Sequence, residues 1–345
     1  MLGFYEGSDL RFYEYLVGNY AYCERYFCSH PGPTLPNRMF SLSGDVQYDR
    51  TGEAILDNND GDNFFLSRAP TIFDVLTRKR VGWRIYESFP SVTMLRMFAR
   101  YVTDNTNIVP ISRLQADVAL GNLPSVTFID PAMHHSPESD DHTPFADMHR
   151  GQLFLKSIYD LLSSKKELWS KTMLIITYDE HGGFYDHVIP PLADMLTRPP
   201  ELQKSKGSVA HNTPSLLRIN YGLRVPTFVV SPWVPAGKGP DIVLDHCSIL
   251  KTILARFCGQ DRPFLSARVN ASRSFESYLS AATPRLNVPA SPVMPLFNDQ
   301  LQVQGPAIVT PPISREQMRS SHVDYHDLTG MLARQLGRKA TPNTP

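Results

Sequence analysis

The run Asp179-Glu180-His181-Gly182-Gly183-Phe184-Tyr185-Asp186-His187 sets two adjacent acids, two glycines and a second acid–histidine pair directly after the apolar stretch Met173–Tyr178. Neighbouring carboxylates at the end of a buried strand can offer oxygen ligands to a hard cation from a rigid support. The glycines let the backbone turn sharply and approach a ligand closely. The plain alternative is a polar loop in which Asp179 caps the next turn. So many ionisable groups in so few positions favour chemistry. A zincin reading fails, because that motif needs two histidines one helical turn apart around a glutamate, and Gly182-Gly183 would support a helix poorly.

Three further constellations could join that site. In His30-Pro31-Gly32-Pro33-Thr34-Leu35-Pro36-Asn37-Arg38 a hydroxyl sits in a Pro/Gly-rich turn, where it could be presented as a nucleophile. Asn37 and Arg38 add groups suited to phosphate oxygens. Thr34 as an ordinary helix cap is the competing reading, and the two are compatible, since a helix N-terminus also favours an anion. Ser139-Asp140-Asp141-His142-Thr143-Pro144 offers His142 as a proton donor or phosphate contact, or else is a solvated turn. Asp245-His246 opens a helix-like stretch and reads equally as site or cap. The His134-His135 pair reads as an exposed loop feature.

Four segments must position these groups: 82–86, 125–129, 173–178 and 226–231. All four read as buried parallel strands, the last two as apolar β-branched runs covered on both faces. Helix-like stretches at 71–79, 152–162 and 249–257 alternate with them. That order predicts an α/β chain, a three-layer α/β/α sandwich with a mainly parallel sheet. Glu87, Asp130, Asp179 and Glu180 fall at strand ends, where open α/β sheets place their sites. Residues 51–63 and 192–213 read as excursions from the sheet.

Composition narrows the function classes. Acidic and basic residues balance at 34 each, for a formal net charge of zero over 345 residues. No global field points to nucleic acid or to an anionic membrane. The 29 prolines imply long, shaped loops. The four cysteines have no C-x-x-C spacing, so buried free thiols are expected. No signal peptide opens the chain, and no run approaches the ~20 apolar residues of a membrane span. Any peripheral membrane contact is left to loops such as 192–213.

Taken together the motifs resemble the phosphoesterase family of bacterial phospholipases C, plant non-specific phospholipases C and related acid phosphatases. The Asp179–His187 run is similar to the family hallmark, and Gly32–Arg38 to its nucleophile loop. Asp140–Pro144 resembles its Asp-Asp-His-Pro-Pro turn, with Thr143 a departure. Residues 224–233 and Asp245-His246 resemble its late strand and the helix after it. The resemblance implies an alkaline-phosphatase-like fold, cleavage of phospholipids or other phosphate esters, and a divalent metal ion. It assigns Thr34 as nucleophile and metal ligand, Asp179 and Glu180 as metal ligands, and His142, Asn37, Arg38 and His187 to the phosphate. His181, Asp186, Asp245 and His246 are secondary candidates. Thr34 leans toward the phospholipase C side of the family, as against the Ser of its acid phosphatases. Family members are often secreted.

One departure matters. The family's first-strand motif, Glu-Asn-Arg-Ser-Phe-Asp, does not precede Thr34, and Glu6 and Asp9 stand in no matching context. The expectation is an N-terminally incomplete domain over residues 1–337 with a polar tail at 338–345. An exposed sheet edge or an open slot is expected with it. With two metal ligands missing, little or no activity is expected, or a catalytically inactive phosphate- or lipid-binding role.

Overall fold

In the computed structural model, the described residues are 4–48, 54–58, 67–88, 93–133, 139–142, 147–193, 195–197, 216–218, 220–259 and 263–294. The chain divides into two compact units, Met1–Pro292 and Val293–Pro345. The polar tail, the His134-His135 pair, Thr143-Pro144 and most of the 51–63 and 192–213 excursions lie outside the described residues. The helices and strands named here all belong to the first unit.

The expected helices form. Helix α1 is Arg11–Asn19 and α2 is Thr34–Ser43. Helix α3, Ile72–Arg78, starts at a capping box: Thr71 accepts from the Asp74 amide, and Asp74 accepts from the Thr71 amide. Helices α4 (Leu114–Ala119), α5 (Met148–Ser163) and α6 (Lys166–Trp169) follow. Helix α7 (His246–Phe257) and the short α8 (Ala267–Ala271) complete the set.

The strands form two principal sheets. β2 (Trp83–Glu87) lies between β3 (Ile108–Pro110) and β4 (Val126–Asp130), all parallel, with Ile85 opposite both Ile108 and Phe128. The second sheet runs β5-β8-β1-β9, from β5 (Leu174–Thr177) and β8 (Thr227–Val230) to β1 (Ala21–Tyr22) and β9 (Gly237–Lys238). A separate antiparallel pair joins β6 (Met195–Thr197) to β7 (Leu216–Arg218).

The parallel expectation holds for β2 and β4 and fails for the other two segments. β5 and β8 are antiparallel, with Leu174 opposite Val230 and Thr177 opposite Thr227. A short apolar run records burial but carries no direction, so sequence alone could not have fixed this. Nor is β5 covered on both faces: Ile176 is buried, while Leu174, Ile175 and Thr177 are half-buried. Every residue of β8 is buried. β4 is half-buried too, beyond Val126. Among the described residues β4 pairs only with β2, and β5 only with β8. Two incompletely covered edge strands therefore carry the carboxylates of interest at their C-terminal ends.

The core beside this second sheet gathers Tyr26, Cys28, Val225, Val229, Val234, Leu244, Phe275 and Tyr278. All four cysteines are free and buried, as expected. No helix among the described residues is long and apolar enough to cross a membrane.

Candidate active site

The site is built where β5 ends. Asp179 Oδ1 accepts from the Glu180 amide at 3.0 Å, and Oδ2 accepts from Arg38 Nε at 3.0 Å. The other arm of the same guanidinium reaches Asp130 Oδ1 at 3.5 Å. Arg38 thus clips the ends of the two edge strands, and it comes from the helix that Thr34 opens. Asp130 stood at a strand end in the sequence, but nothing there named its partner. Glu180 Oε2 accepts from the Gly182 amide at 2.8 Å and lies 3.2 Å from His181 Nδ1. Gly182 and Gly183 both adopt positive φ, 60° and 75°, which explains their place in the run.

Thr34 is half-buried at the first position of α2, with Pro33 as the N-cap. The turn before it is held by Asn37, which is fully buried. Asn37 Oδ1 accepts from the His30 amide, and Nδ2 donates to the carbonyls of His30, Gly32 and Pro33. Both ends of this amide therefore serve the loop that presents Thr34. Burial pushes His30 down to about 4, so its ring is neutral and accepts from the Gly32 amide at 2.7 Å.

His142 is half-buried, on a turn whose preceding residue, Asp141, has φ 55°. Asp141 is buried, and its Oδ2 accepts from Tyr13 (2.5 Å) and Tyr178 (2.9 Å). Tyr178 immediately precedes Asp179, so the His142 turn is tied to the end of β5. Burial pushes the Asp141 carboxyl up to about 6, against the pull of the two phenols.

His246 is fully buried, with Nε2 2.7 Å from the Asp179 carbonyl and Nδ1 2.9 Å from the Tyr26 hydroxyl. A carbonyl only accepts, so Nε2 carries the proton and the hydroxyl donates to Nδ1. Burial lowers the pKa of the ring, in keeping with this neutral state. Asp245 is committed to the start of α7. It caps α7 and receives Ser29, Ser272 and the buried Arg268 guanidinium. Asp186 is gripped by Arg224 at 2.7 and 2.8 Å, which holds its carboxyl below the usual range. The His187 side chain is 80% exposed.

The structure thus brings Arg38, Asp179, Glu180, His181 and His246 together, with Asp130 added. Asp186 and Asp245 are committed to Arg224 and Arg268. Tyr13, Tyr178 and Asp141 form a buried network that no spacing in the sequence announced.

Asp179 and Glu180 offer the oxygen donors a hard divalent cation takes, at the end of a strand. Asp179 also pairs with Arg38, so a metal ion there would share this carboxylate with the guanidinium. The donor type fits a metal ion. The set is partial, since among the described residues no group of three or more His, Cys, Asp or Glu is close enough to hold one.

The phosphoesterase family profile matches residues 1–258. The chain belongs to the phosphoesterase family. Among curated phosphoesterase relatives, non-specific phospholipase C6 of Arabidopsis thaliana is 34% identical over 291 residues, covering 80% of this chain and 53% of the relative. Non-specific phospholipase C4 of the same plant is 31% identical, covering 85% and 53%. The non-hemolytic phospholipase C of Pseudomonas aeruginosa is 28% identical, covering 74% and 40%. The chain therefore spans about half the length of the plant phosphoesterases it matches. Among solved structures, the lipoteichoic acid synthase LtaP of Listeria monocytogenes overlaps 76% of this chain and 70% of its own, at 11% identity and a TM-score of 0.44.

Proposed function

We propose that this phosphoesterase cleaves phospholipids in the manner of a phospholipase C, releasing diacylglycerol and a phosphorylated head group. The observation that carries the reading is the Arg38 clip. One guanidinium ties the helix opened by Thr34 to the carboxylate-bearing end of β5.

In this reading the N-terminus of α2 draws the phosphate toward Thr34, because the positive end of a helix dipole favours an anion. The Thr34 oxygen bonds to phosphorus as the bond to the leaving alcohol breaks, and its proton passes to solvent. His142 gives the leaving oxygen a proton and recovers one from the water that later attacks phosphorus, while the Thr34 oxygen, expelled in that step, takes its proton back from solvent. Asn37 holds the turn in shape, and Arg38 keeps Asp179 aimed and partly neutralised. Held by Asp179, Glu180 and Thr34, a divalent ion would supply Lewis-acid charge at the phosphoryl oxygens.

The test compares diacylglycerol release from phosphatidylcholine with hydrolysis of a chromogenic phosphomonoester, for the wild-type chain and Thr34→Ala. Phospholipid cleavage that vanishes in Thr34→Ala, with the far-ultraviolet spectrum unchanged, supports this reading, and no cleavage by the wild-type chain would instead favour the inactive phosphate- or lipid-binding alternative that the missing first-strand motif left open. Near-normal turnover by Thr34→Ala would refute the assignment. Turnover of the phosphomonoester alone would move the protein to the acid phosphatase side.

A further inference from the structure

The loop that leaves the site presents bare apolar side chains. Downstream of the Gly182-Gly183 turn, Tyr185 is 70% exposed, Ile189 88% and Leu192 70%. Phe184, at the base of the loop, packs on Tyr5 with ring centroids 5.9 Å apart, and the adjoining Phe4 is also exposed. Single exposed apolar residues are ordinary on a protein surface, but several on one short loop mark an interaction site.

The loop is braced rather than loose. Asp186, its only carboxylate between 184 and 192, is turned inward onto Arg224 through two short contacts. Arg224 also donates to the Glu24 carbonyl, and Asp186 accepts from the Val188 amide at 3.2 Å. Pro190 and Pro191 have fixed φ and no amide proton. The segment thus exposes Tyr185, Ile189 and Leu192 beside the exposed His187, while its one acid is paired with Arg224 at its root.

We propose that the 184–192 loop is an interfacial anchor that seats the protein on a zwitterionic phospholipid surface, with Ile189 and Leu192 entering the acyl boundary. Building on the phospholipase C reading, the anchor would bring head groups to the strand end from which the loop departs. The chemistry favours lipid over a charged partner, because the tip offers no unpaired carboxylate and the whole chain has zero formal charge. Tyr185 has the apolar body and polar end suited to the head-group level. The contact is peripheral, since the anchor is a loop tip of a few side chains.

The experiment is co-sedimentation with sucrose-loaded phosphatidylcholine vesicles, using Thr34→Ala so that hydrolysis does not consume them. Ile189→Ser and Leu192→Ser are added singly and together, with thermal unfolding as the folding control. Each polar substitution is expected to lower the bound-to-free ratio about tenfold, the scale of losing burial of one large aliphatic side chain. Cleavage of a short-chain phosphatidylcholine below its micelle concentration, measured with Thr34 restored, should stay unchanged. Undiminished vesicle binding by the double variant overturns the proposal. So does failure of Thr34→Ala to bind vesicles, even if the short-chain substrate is cleaved. A dimer that becomes a monomer in the double variant would overturn it in favour of self-association. Loop-dependent vesicle binding without any cleavage would instead leave the anchor standing and refute the catalytic reading.

Discussion

His246 Nε2 meets the backbone carbonyl of Asp179 at 2.7 Å, so a buried imidazole on α7 fixes the peptide that carries the principal acid of the site. Its other nitrogen accepts from Tyr26, leaving neither ring nitrogen unpaired. His246→Phe keeps the bulk but strands that carbonyl and removes one partner of the Tyr26 hydroxyl. An unsatisfied buried polar group costs about 1–3 kcal/mol. Urea unfolding should show a loss of that size. A midpoint equal to wild type would mean that the histidine does not hold the strand end.

Asp141 gives a pH signature. Its folded pKa, about 6, lies above the ~3.8 of the free group, so the folded state binds the proton more tightly. The carboxyl therefore adds stability at low pH, and that addition is lost as pH rises from about 4 through 6. Asp141→Asn keeps an acceptor for Tyr13 and Tyr178 and cannot titrate. The stability of wild type minus that of Asp141→Asn should fall by up to about 3 kcal/mol between pH 4 and 7. Taking the difference cancels His30, whose lowered pKa acts in the opposite direction. A flat difference across that range would contradict the burial of this carboxyl.

Gly151 lies within α5, where alanine is intrinsically favoured by about 1 kcal/mol. A Cβ there would fall 1.7 Å from Asp141 Oδ1 and 2.2 Å from its Cγ. Asp141 is held by two phenols, so the clash outweighs the propensity. Gly151→Ala is expected to lower stability by about 1–3 kcal/mol, the usual cost of overpacking. A raised melting temperature would show that the Asp141 turn yields easily.

Arg268 and Asp245 form an ion pair in which both side chains are essentially inaccessible. The guanidinium also lies 4.1 Å from the Tyr221 ring centroid. Arg268→Leu leaves a buried carboxylate at the start of α7, and breaking such a pair costs about 3–5 kcal/mol. Chemical denaturation should register that loss at pH 7. A change under about 1 kcal/mol, the scale of a single ordinary hydrogen bond, would mean that Ser29 and Ser272 suffice to hold Asp245.

The fold was legible where local pattern sufficed. The helix-like stretch at 71–79 forms α3, and the apolar runs at 173–178 and 226–231 form strands. The family resemblance read from the Asp179–His187 and Gly32–Arg38 motifs is matched by the family profile. Strand direction was not legible, because β5 and β8 look alike in either orientation. The commitments of Asp141, Asp186 and Asp245 were equally hidden. Their partners Tyr13, Arg224 and Arg268 are distant in sequence and are chosen only when the chain has packed.

The division into two sheets has a kinetic side. Residues 83–130 contain the whole parallel sheet, so its loops are short and inexpensive to close. Joining β1 to β8 instead brings Ala21 beside Val229, across roughly 200 residues, the kind of non-local pairing that forms slowly. Folding should therefore begin with the parallel sheet and finish with the arrival of β1. Pulse-labelled amides of 83–87 should gain protection before the Cys23 amide, which donates to the Thr227 carbonyl, and the reverse order would contradict it. The turn before Thr34 follows β1 in the chain, so the carboxylates at the end of β5 would meet Arg38 late.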